Sequence, residues 1–250
     1  MHLSKILIVV PCFNEASRLS VEAYRQFLSA NERFGFLFVN DGSTDGTREV
    51  LESLKTHSPG RVEVLHLKPN RGKAEAVRAG MLKGMEDKPD FIGFWDADLA
   101  TPLEVLPYFM DRFDGKPERL MVFGSRVKLL GHDIRRQPLR HYLGRVFATF
   151  ASAVLGLPVY DTQCGAKIFR VQGPLARMIE KPFLSRWIFD VELIARFLEI
   201  QRPSLPEAEQ MIYELALPAW YDVAGSKVKP ADFFKAIGEL WRIRCAYRMR

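Results

Sequence analysis

Five short runs of β-branched and aromatic residues, Ile6–Val10, Phe36–Val39, Val62–Leu67, Phe91–Trp95 and Leu120–Phe123, recur through the first half of this chain with helical patterns between them. Apolar runs of this kind suit strands covered on both faces, as in a parallel sheet. Thr44 to Lys55 sets Val50, Leu51 and Leu54 on one helical face, and Arg71 to Met85 does the same with Ala74, Val77, Met81 and Leu82. The rhythm predicts an α/β, mostly parallel, doubly wound sheet flanked by helices, with ligands outside the carboxyl ends of its strands. After Arg126 the rhythm breaks into a basic loop, an apolar helix from about Leu139 to Leu155, a short strand Ala166–Arg170 and a helix around Trp187–Phe197. Without repeats or a long linker, the 250 residues read as one domain in two halves, 1–126 and 127–229, followed by a basic amphipathic helix, 230–250.

The formal charge of +6 is concentrated in two places. Arg126, Lys128, Arg135, Arg136, Arg140 and Arg145 face only Asp133, and the tail from Lys227 to Arg250 is similarly cationic, which leaves the remainder net acidic. Such patches suit an anionic partner without choosing among nucleotide, lipid headgroup and nucleic acid. Cys12, Cys164 and Cys245 are widely separated, so neither a disulfide framework nor a zinc knuckle is indicated, and a reducing cytoplasm fits. The run Ile6 to Val10 stops at Pro11, and the uncharged stretch Val146 to Tyr160 is broken by Gly156 and Pro158, so neither a signal peptide nor a spanning helix is expected.

Chemistry-bearing residues cluster at the strand ends. Pro11-Cys12-Phe13-Asn14-Glu15 closes the first run, and Asn40-Asp41-Gly42-Ser43-Thr44-Asp45-Gly46-Thr47 closes the second. The latter reads equally as a strand-to-helix turn with its cap, although two acids, Asp41 and Asp45, exceed what one cap needs. Asn70-Arg71-Gly72-Lys73 opens a helix, where side-chain charge and backbone N–H groups together can meet phosphate. The spacings of a P-loop and of a dinucleotide fingerprint are both absent. Asp96 and Asp98, at the end of an apolar strand, are costly unless solvated, paired or bound to a cation, and Mg²⁺ or Mn²⁺ with substrate phosphates would neutralise them. An Asx turn capping the next helix is the competing reading, but Thr101-Pro102-Leu103-Glu104 already has a capping-box pattern.

Taken together and in order, these four motifs resemble the nucleotide-sugar half of the family-two inverting glycosyltransferases, over residues 1 to about 126. Phe123-Gly124-Ser125-Arg126, Asp161-Thr162-Gln163-Cys164-Gly165-Ala166-Lys167 and Gly225-Ser226-Lys227 are similar to the polyprenyl-phosphate (dolichyl-phosphate) β-glucosyltransferase branch. The resemblance implies a GT-A fold and transfer of a hexose, glucose, from UDP-glucose to a polyprenyl phosphate. It further implies that Pro11, Asn14, Glu15 and Asp41 hold base and ribose, that Arg71 and Lys73 lie near the nucleotide, and that Asp98 binds the metal directly. Asp96 would meet ribose and metal, and Arg126 and Arg140, with Lys227, would grip the acceptor phosphate. Ala166 stands where the branch has an aromatic, and Leu99-Ala100-Thr101 replaces the Leu-Gln continuation of the mannosyl branch, which leans towards glucose. The branch's eukaryotic members carry an N-terminal membrane anchor; this chain opens almost directly on its first strand and is expected to be cytoplasmic and peripheral on the inner face of the membrane.

The acceptor decides the catalytic set. A hydroxyl needs a general base, for which Asp161 or Asp190 is the candidate, whereas a lipid phosphate is already anionic and needs cationic positioning. Asp190 reads equally as a helix-surface residue or an ion-pair partner, and Trp187, Phe183 and Phe189 read as core. The tail places Phe233, Phe234, Ile237, Leu240 and Trp241 at helical spacing among cations, fitting either an anionic membrane surface or a helix packed on the domain. A sugar-nucleotide-forming nucleotidyltransferase would show a Gly-rich basic loop after strand one, and a nucleic-acid-binding protein leaves the aspartate pair without a role. A hydroxyl acceptor and a noncatalytic nucleotide-sugar binder both stay open.

Overall fold

The computed structural model describes residues 5–223 and 230–247. Lys227 lies outside these residues, as does the side chain of Arg140. In chain order the elements are β1 (Ile6–Cys12), α1 (Val21–Ala30), β2 (Phe34–Asp41), α2 (Thr47–His57), β3 (Val62–Leu67), α3 (Lys73–Met85), β4 (Phe91–Trp95), a 3₁₀ turn (Leu103–Val105), α4 (Leu106–Asp111), β5 (Met121–Ser125), β6 (Asp133–Arg135), α5 (Pro138–Leu155), β7 (Ala166–Arg170), α6 (Leu175–Glu180), α7 (Phe189–Gln201), α8 (Leu205–Met211), β8 (Ile212–Ala216), β9 (Ala219–Tyr221) and α9 (Pro230–Ala246). They form two compact units, Met1–Leu99 with Gly165–Pro182, and Ala100–Cys164 with Phe183–Arg250.

In the first unit the strand order is β3-β2-β1-β4-β7. The first four strands are parallel, with Cys12 opposite Asn40, Asp41 opposite Leu67 and Val9 opposite Phe94. Their carboxyl ends therefore share one edge, and the four expected motifs meet there. α3 lies close on the sheet because Gly80 and Gly84 carry no Cβ, which at Gly80 would strike Val9 and Val39 and at Gly84 would strike Leu7. Val77 and Met81 on the same face are fully buried, each contributing about 1.5–3 kcal/mol of apolar burial. This seating fixes where the helix's first residue, Lys73, emerges. β7 runs antiparallel to β4, pairing Trp95 with Ala166.

In the second unit β5 pairs in parallel with β8, and β6 with β9. Here the expected halves need adjustment, since residues 100–126 pack with the later chain: β5 pairs with β8, and the Tyr221 N–H donates to the Ala100 carbonyl at 2.9 Å. α9 packs on α5 and α7, burying Ala236, Leu240 and Ile243. The Tyr247 hydroxyl donates to Glu192 Oε1 at 2.7 Å, Arg196 Nη2 reaches the same oxygen at 2.8 Å, and the Ser185 hydroxyl donates to Glu239 at 2.5 Å. The C-terminal helix is thus a docked element that leaves Trp241 exposed. Among the described residues no helix is long and apolar enough to cross a membrane.

Three local expectations fail. The capping-box pattern Thr101 to Glu104 does not open an α-helix: the segment forms a short 3₁₀ turn, Leu103–Val105, whose N-cap is Pro102 and has no side-chain cap. Trp187 is 44% exposed, while Phe189 is buried as expected. Asp190 is buried in the first turn of α7, so its reading as a helix-surface residue is also wrong.

Candidate active site

At the sheet edge of the first unit, the loops after β1, β2 and β3 are sewn together by short polar side chains. Asn14, left-handed at φ 54°, accepts the Thr44 N–H on Oδ1 at 2.9 Å, and its own N–H donates to the Ser43 hydroxyl at 3.0 Å. The Glu15 N–H donates to the Thr47 hydroxyl at 2.8 Å. Asp45 Oδ1 accepts the Thr47 N–H at 3.0 Å, while Oδ2 accepts the Ala16 N–H at 3.2 Å. Asp41 is buried, and its two oxygens accept the Arg71 and Gly72 N–H groups at 2.8 and 2.7 Å. It thereby supplies the anion that the N-terminus of α3 favours. Gly42, at φ 67°, lets β2's turn approach this loop, since a Cβ there would come within 2.7 Å of the Asn70 nitrogen. Both acids of this segment, one more than a cap requires, therefore have structural tasks.

Asp96 and Asp98 occupy a tight turn after β4. The Leu99 N–H donates to the Asp96 carbonyl at 3.3 Å, and Leu99 is left-handed at φ 52°, a conformation costing a branched residue about 1–3 kcal/mol. The Asp96 N–H donates to the Gly165 carbonyl at 3.0 Å. A Cβ on Gly165 would overlap the Asp96 carboxylate, so this glycine is what gives the aspartate its space. Lys73 Nζ lies 2.5 Å from Asp96 Oδ1, with both groups partly exposed. Glu15 and Arg18 pair bidentately, and the charge of Asp98 reaches Arg18, whose guanidinium is held above its ordinary pKa first by Glu15 and also by Asp98. Among the described residues no group of three His, Cys, Asp or Glu side chains could cage a metal. Two hard oxygen donors, Asp96 and Asp98, with partial exposure fit Mg²⁺ or Mn²⁺, which take one or two carboxylates and complete the shell with phosphate and water.

The second unit holds a cationic cluster at the end of β5. Arg126 Nε and Nη2 donate to the two oxygens of Asp161 at 2.6 and 2.8 Å, and the guanidinium lies over Trp220. Glu214 accepts the Tyr160 and Asp161 N–H groups at 2.7 and 2.8 Å, and Arg145 stacks on Tyr160. Burial alone would raise the Asp161 carboxyl, but the charge and hydrogen bonds of Arg126, aided by Arg136, outweigh it and pull the pKa down to about 2. Arg136, following β6, is half-buried, and its guanidinium lies against Gly144 of α5.

Residues 7–173 match the model of glycosyl transferase family 2, which is most of the chain. The chain belongs to this family. A dolichyl-phosphate beta-glucosyltransferase of Mus musculus is 33% identical to this glycosyltransferase over 262 residues, covering 97% of the chain and 76% of the relative. One from Dictyostelium discoideum is 29% identical over 254 residues, covering 96% and 74%. A glucosyl-3-phosphoglycerate synthase from Mycobacterium tuberculosis, solved with uridine diphosphate, superposes with a TM-score of 0.67 at 16% identity, covering 98% of this chain and 80% of that one. The expected GT-A fold is therefore the one this glycosyltransferase adopts.

Of the residues expected at the site, the structure gathers Pro11, Asn14, Glu15, Asp41, Arg71, Lys73, Asp96 and Asp98 at one sheet edge in the first unit. Arg126 and Asp161 meet in the second unit. Sequence reasoning missed Arg18, Gly165, Glu214, Trp220 and the position of Arg136. The Glu15-x-x-Arg18 spacing was the only local signal for any of them; the rest come together through pairing of distant strands.

Proposed function

We propose that this glycosyltransferase moves a hexose, glucose, from a nucleotide-diphosphate sugar, UDP-glucose, to a polyprenyl phosphate with inversion, in the presence of Mg²⁺ or Mn²⁺. The observation that carries the reading is the Arg126–Asp161 pair. A carboxyl held near pKa 2 and clasped on both oxygens is a poor general base, so Asp161 is a positioning residue for Arg126 in this reading. A phosphate acceptor needs no base, which the cationic surroundings suit, whereas a hydroxyl acceptor would. The similarity to dolichyl-phosphate beta-glucosyltransferases along nearly the whole chain supports the same acceptor class and the same sugar.

In this reading the first unit binds the donor and the second the acceptor. One oxygen of the lipid phosphate attacks the anomeric carbon, the bond from that carbon to the diphosphate oxygen breaks, and the nucleoside diphosphate leaves with the electron pair. A bound divalent cation offsets the charge on the leaving diphosphate. Asp98 and Asp96 would hold it, while Lys73 orients Asp96 and Arg71 adds charge at the α3 N-terminus.

We also assign a peripheral membrane surface to the segment after Arg126. Leu130 is fully exposed at a loop tip beside Leu129, and Tyr142, Val146 and Phe150 form an exposed stripe on α5 at four-residue spacing. From Ile134 to Tyr160 there is no acidic residue, so the surroundings complement anionic lipid. The test of the reaction is incubation with radiolabelled UDP-glucose or GDP-mannose, each metal, and either polyprenyl phosphate or polyprenol. Label on the phosphate from UDP-glucose is expected; label on the alcohol, or none on lipid, overturns the reading.

A further inference from the structure

Arg136 joins partial burial to a close approach to α5. It is half-buried, its guanidinium is pressed against the backbone of Gly144, and it makes no hydrogen bond or ion pair with the described residues. A guanidinium partly stripped of water carries five donors that need acceptors, and leaving them unmet is expensive. The nearby anion is already taken, because Asp161 presents both oxygens to Arg126. Burial and the charge of Arg126 push the Arg136 pKa down to about 10, with Asp161, Cys164 and Asp222 opposing.

Arg136 also precedes the start of α5. That helix has 18 residues, no side-chain cap at Gln137 and no acidic residue in its first turn. Its leading backbone N–H groups and dipole therefore add to the same demand for an anion.

We propose that Arg136, together with the backbone at the start of α5, directly receives the phosphate of the acceptor, and that Arg126 is a positioning residue locked by Asp161. This rests on the phosphate-acceptor reading above and revises its division of labour. The Arg126 fork that would grip a phosphate is closed by a carboxylate, whereas the Arg136 fork has none. Gly144 is the second half of the device. A methyl group there would displace Arg136 Nη2, the end of a flexible side chain, and the helix can accommodate alanine.

The test is steady-state kinetics of the full chain in detergent with polyprenyl phosphate varied, alongside binding of geranyl phosphate by calorimetry. Arg136→Gln is expected to raise the acceptor KM and the geranyl phosphate Kd by about tenfold or more, with the donor KM changed less than about twofold. Arg136→Lys should recover part of this, since charge returns without the planar fork. Gly144→Ala should keep or raise thermal stability yet weaken geranyl phosphate binding several-fold, a combination that a merely structural role for Arg136 would not produce. Unchanged acceptor KM and Kd in Arg136→Gln and Gly144→Ala overturn the assignment while wild-type transfer to the phosphate leaves the acceptor reading standing. Wild-type enzyme that ignores polyprenyl phosphate overturns that reading and this assignment with it.

Discussion

The Asp96 carboxylate occupies space that exists only because residue 165 is glycine, since a Cβ there would overlap it. The β4–β7 pairing, Trp95 opposite Ala166, brings the two together although they are far apart in sequence. Gly165→Ala is therefore expected to fold, because β7 can keep its ladder, but to push Asp96 aside. Transfer should fall by about a hundredfold, the scale for small misplacements of a reacting constellation. Circular dichroism with transfer kinetics checks this; wild-type kcat in the alanine variant would sink it.

Asp98→Ala is predicted to abolish both donor hydrolysis and transfer while the fold survives, because the remaining carboxylate is shared with Lys73. Excess EDTA should do the same to the wild type, and added Mn²⁺ or Mg²⁺ should restore it. Full activity under either condition refutes the metal assignment.

Asp161 links stability to pH. Its folded pKa near 2 lies below the ordinary carboxylate value of about 3.9, so the pair stabilises fully above pH 4 and is lost as pH falls from about 4 to 2. Asp161→Asn is expected to cost about 2–3 kcal/mol near neutrality, leaving Arg126 uncompensated, and to flatten the acid limb. Chemical denaturation at a series of pH values reads both, and parallel acid limbs for variant and wild type would contradict it.

Because α9 is docked through Leu240, Leu240→Ala should cost about 2–5 kcal/mol, as for other leucines removed from a core. Tyr247→Phe should cost about 1 kcal/mol by deleting the hydroxyl that bonds Glu192. Equilibrium unfolding in urea measures both. A leucine variant as stable as wild type would return α9 to the surface-helix alternative.

Vesicle co-sedimentation tests the lipid-facing surface. Leu130→Asp and Phe150→Asp, both at exposed positions, should reduce binding to vesicles containing phosphatidylglycerol without altering thermal stability. Trp241→Ala, by contrast, should have a smaller effect. Undiminished sedimentation of the first two variants removes that surface from the proposal.

Much of the fold was legible because each parallel strand is a local apolar run: the predicted Phe91–Trp95 and Ala166–Arg170 coincide with β4 and β7. β6, β8 and β9 were not read, since they are short and only partly buried, without the continuous apolar run that marks β4 and β7, and acquire meaning only from partners distant in the chain. The strand-end motifs named residues that the structure gathers at one sheet edge, but it adds two things they did not show. The segment after Thr101 starts a 3₁₀ turn whose N-cap is Pro102, and the acids Asp41 and Asp45 hold loop backbone.

The sequence by itself determined which residues stand at the carboxyl ends of the strands, because period and strand length are local properties and parallel order follows from the β-α-β rhythm. Tertiary structure alone decided which charges are spoken for. Asp161 closes on Arg126, Glu192 gathers Arg196 and Tyr247, and Arg136 is left against Gly144 with no hydrogen bond to the described residues. Pairing and desolvation depend on distances through space, and no spacing along a chain encodes them.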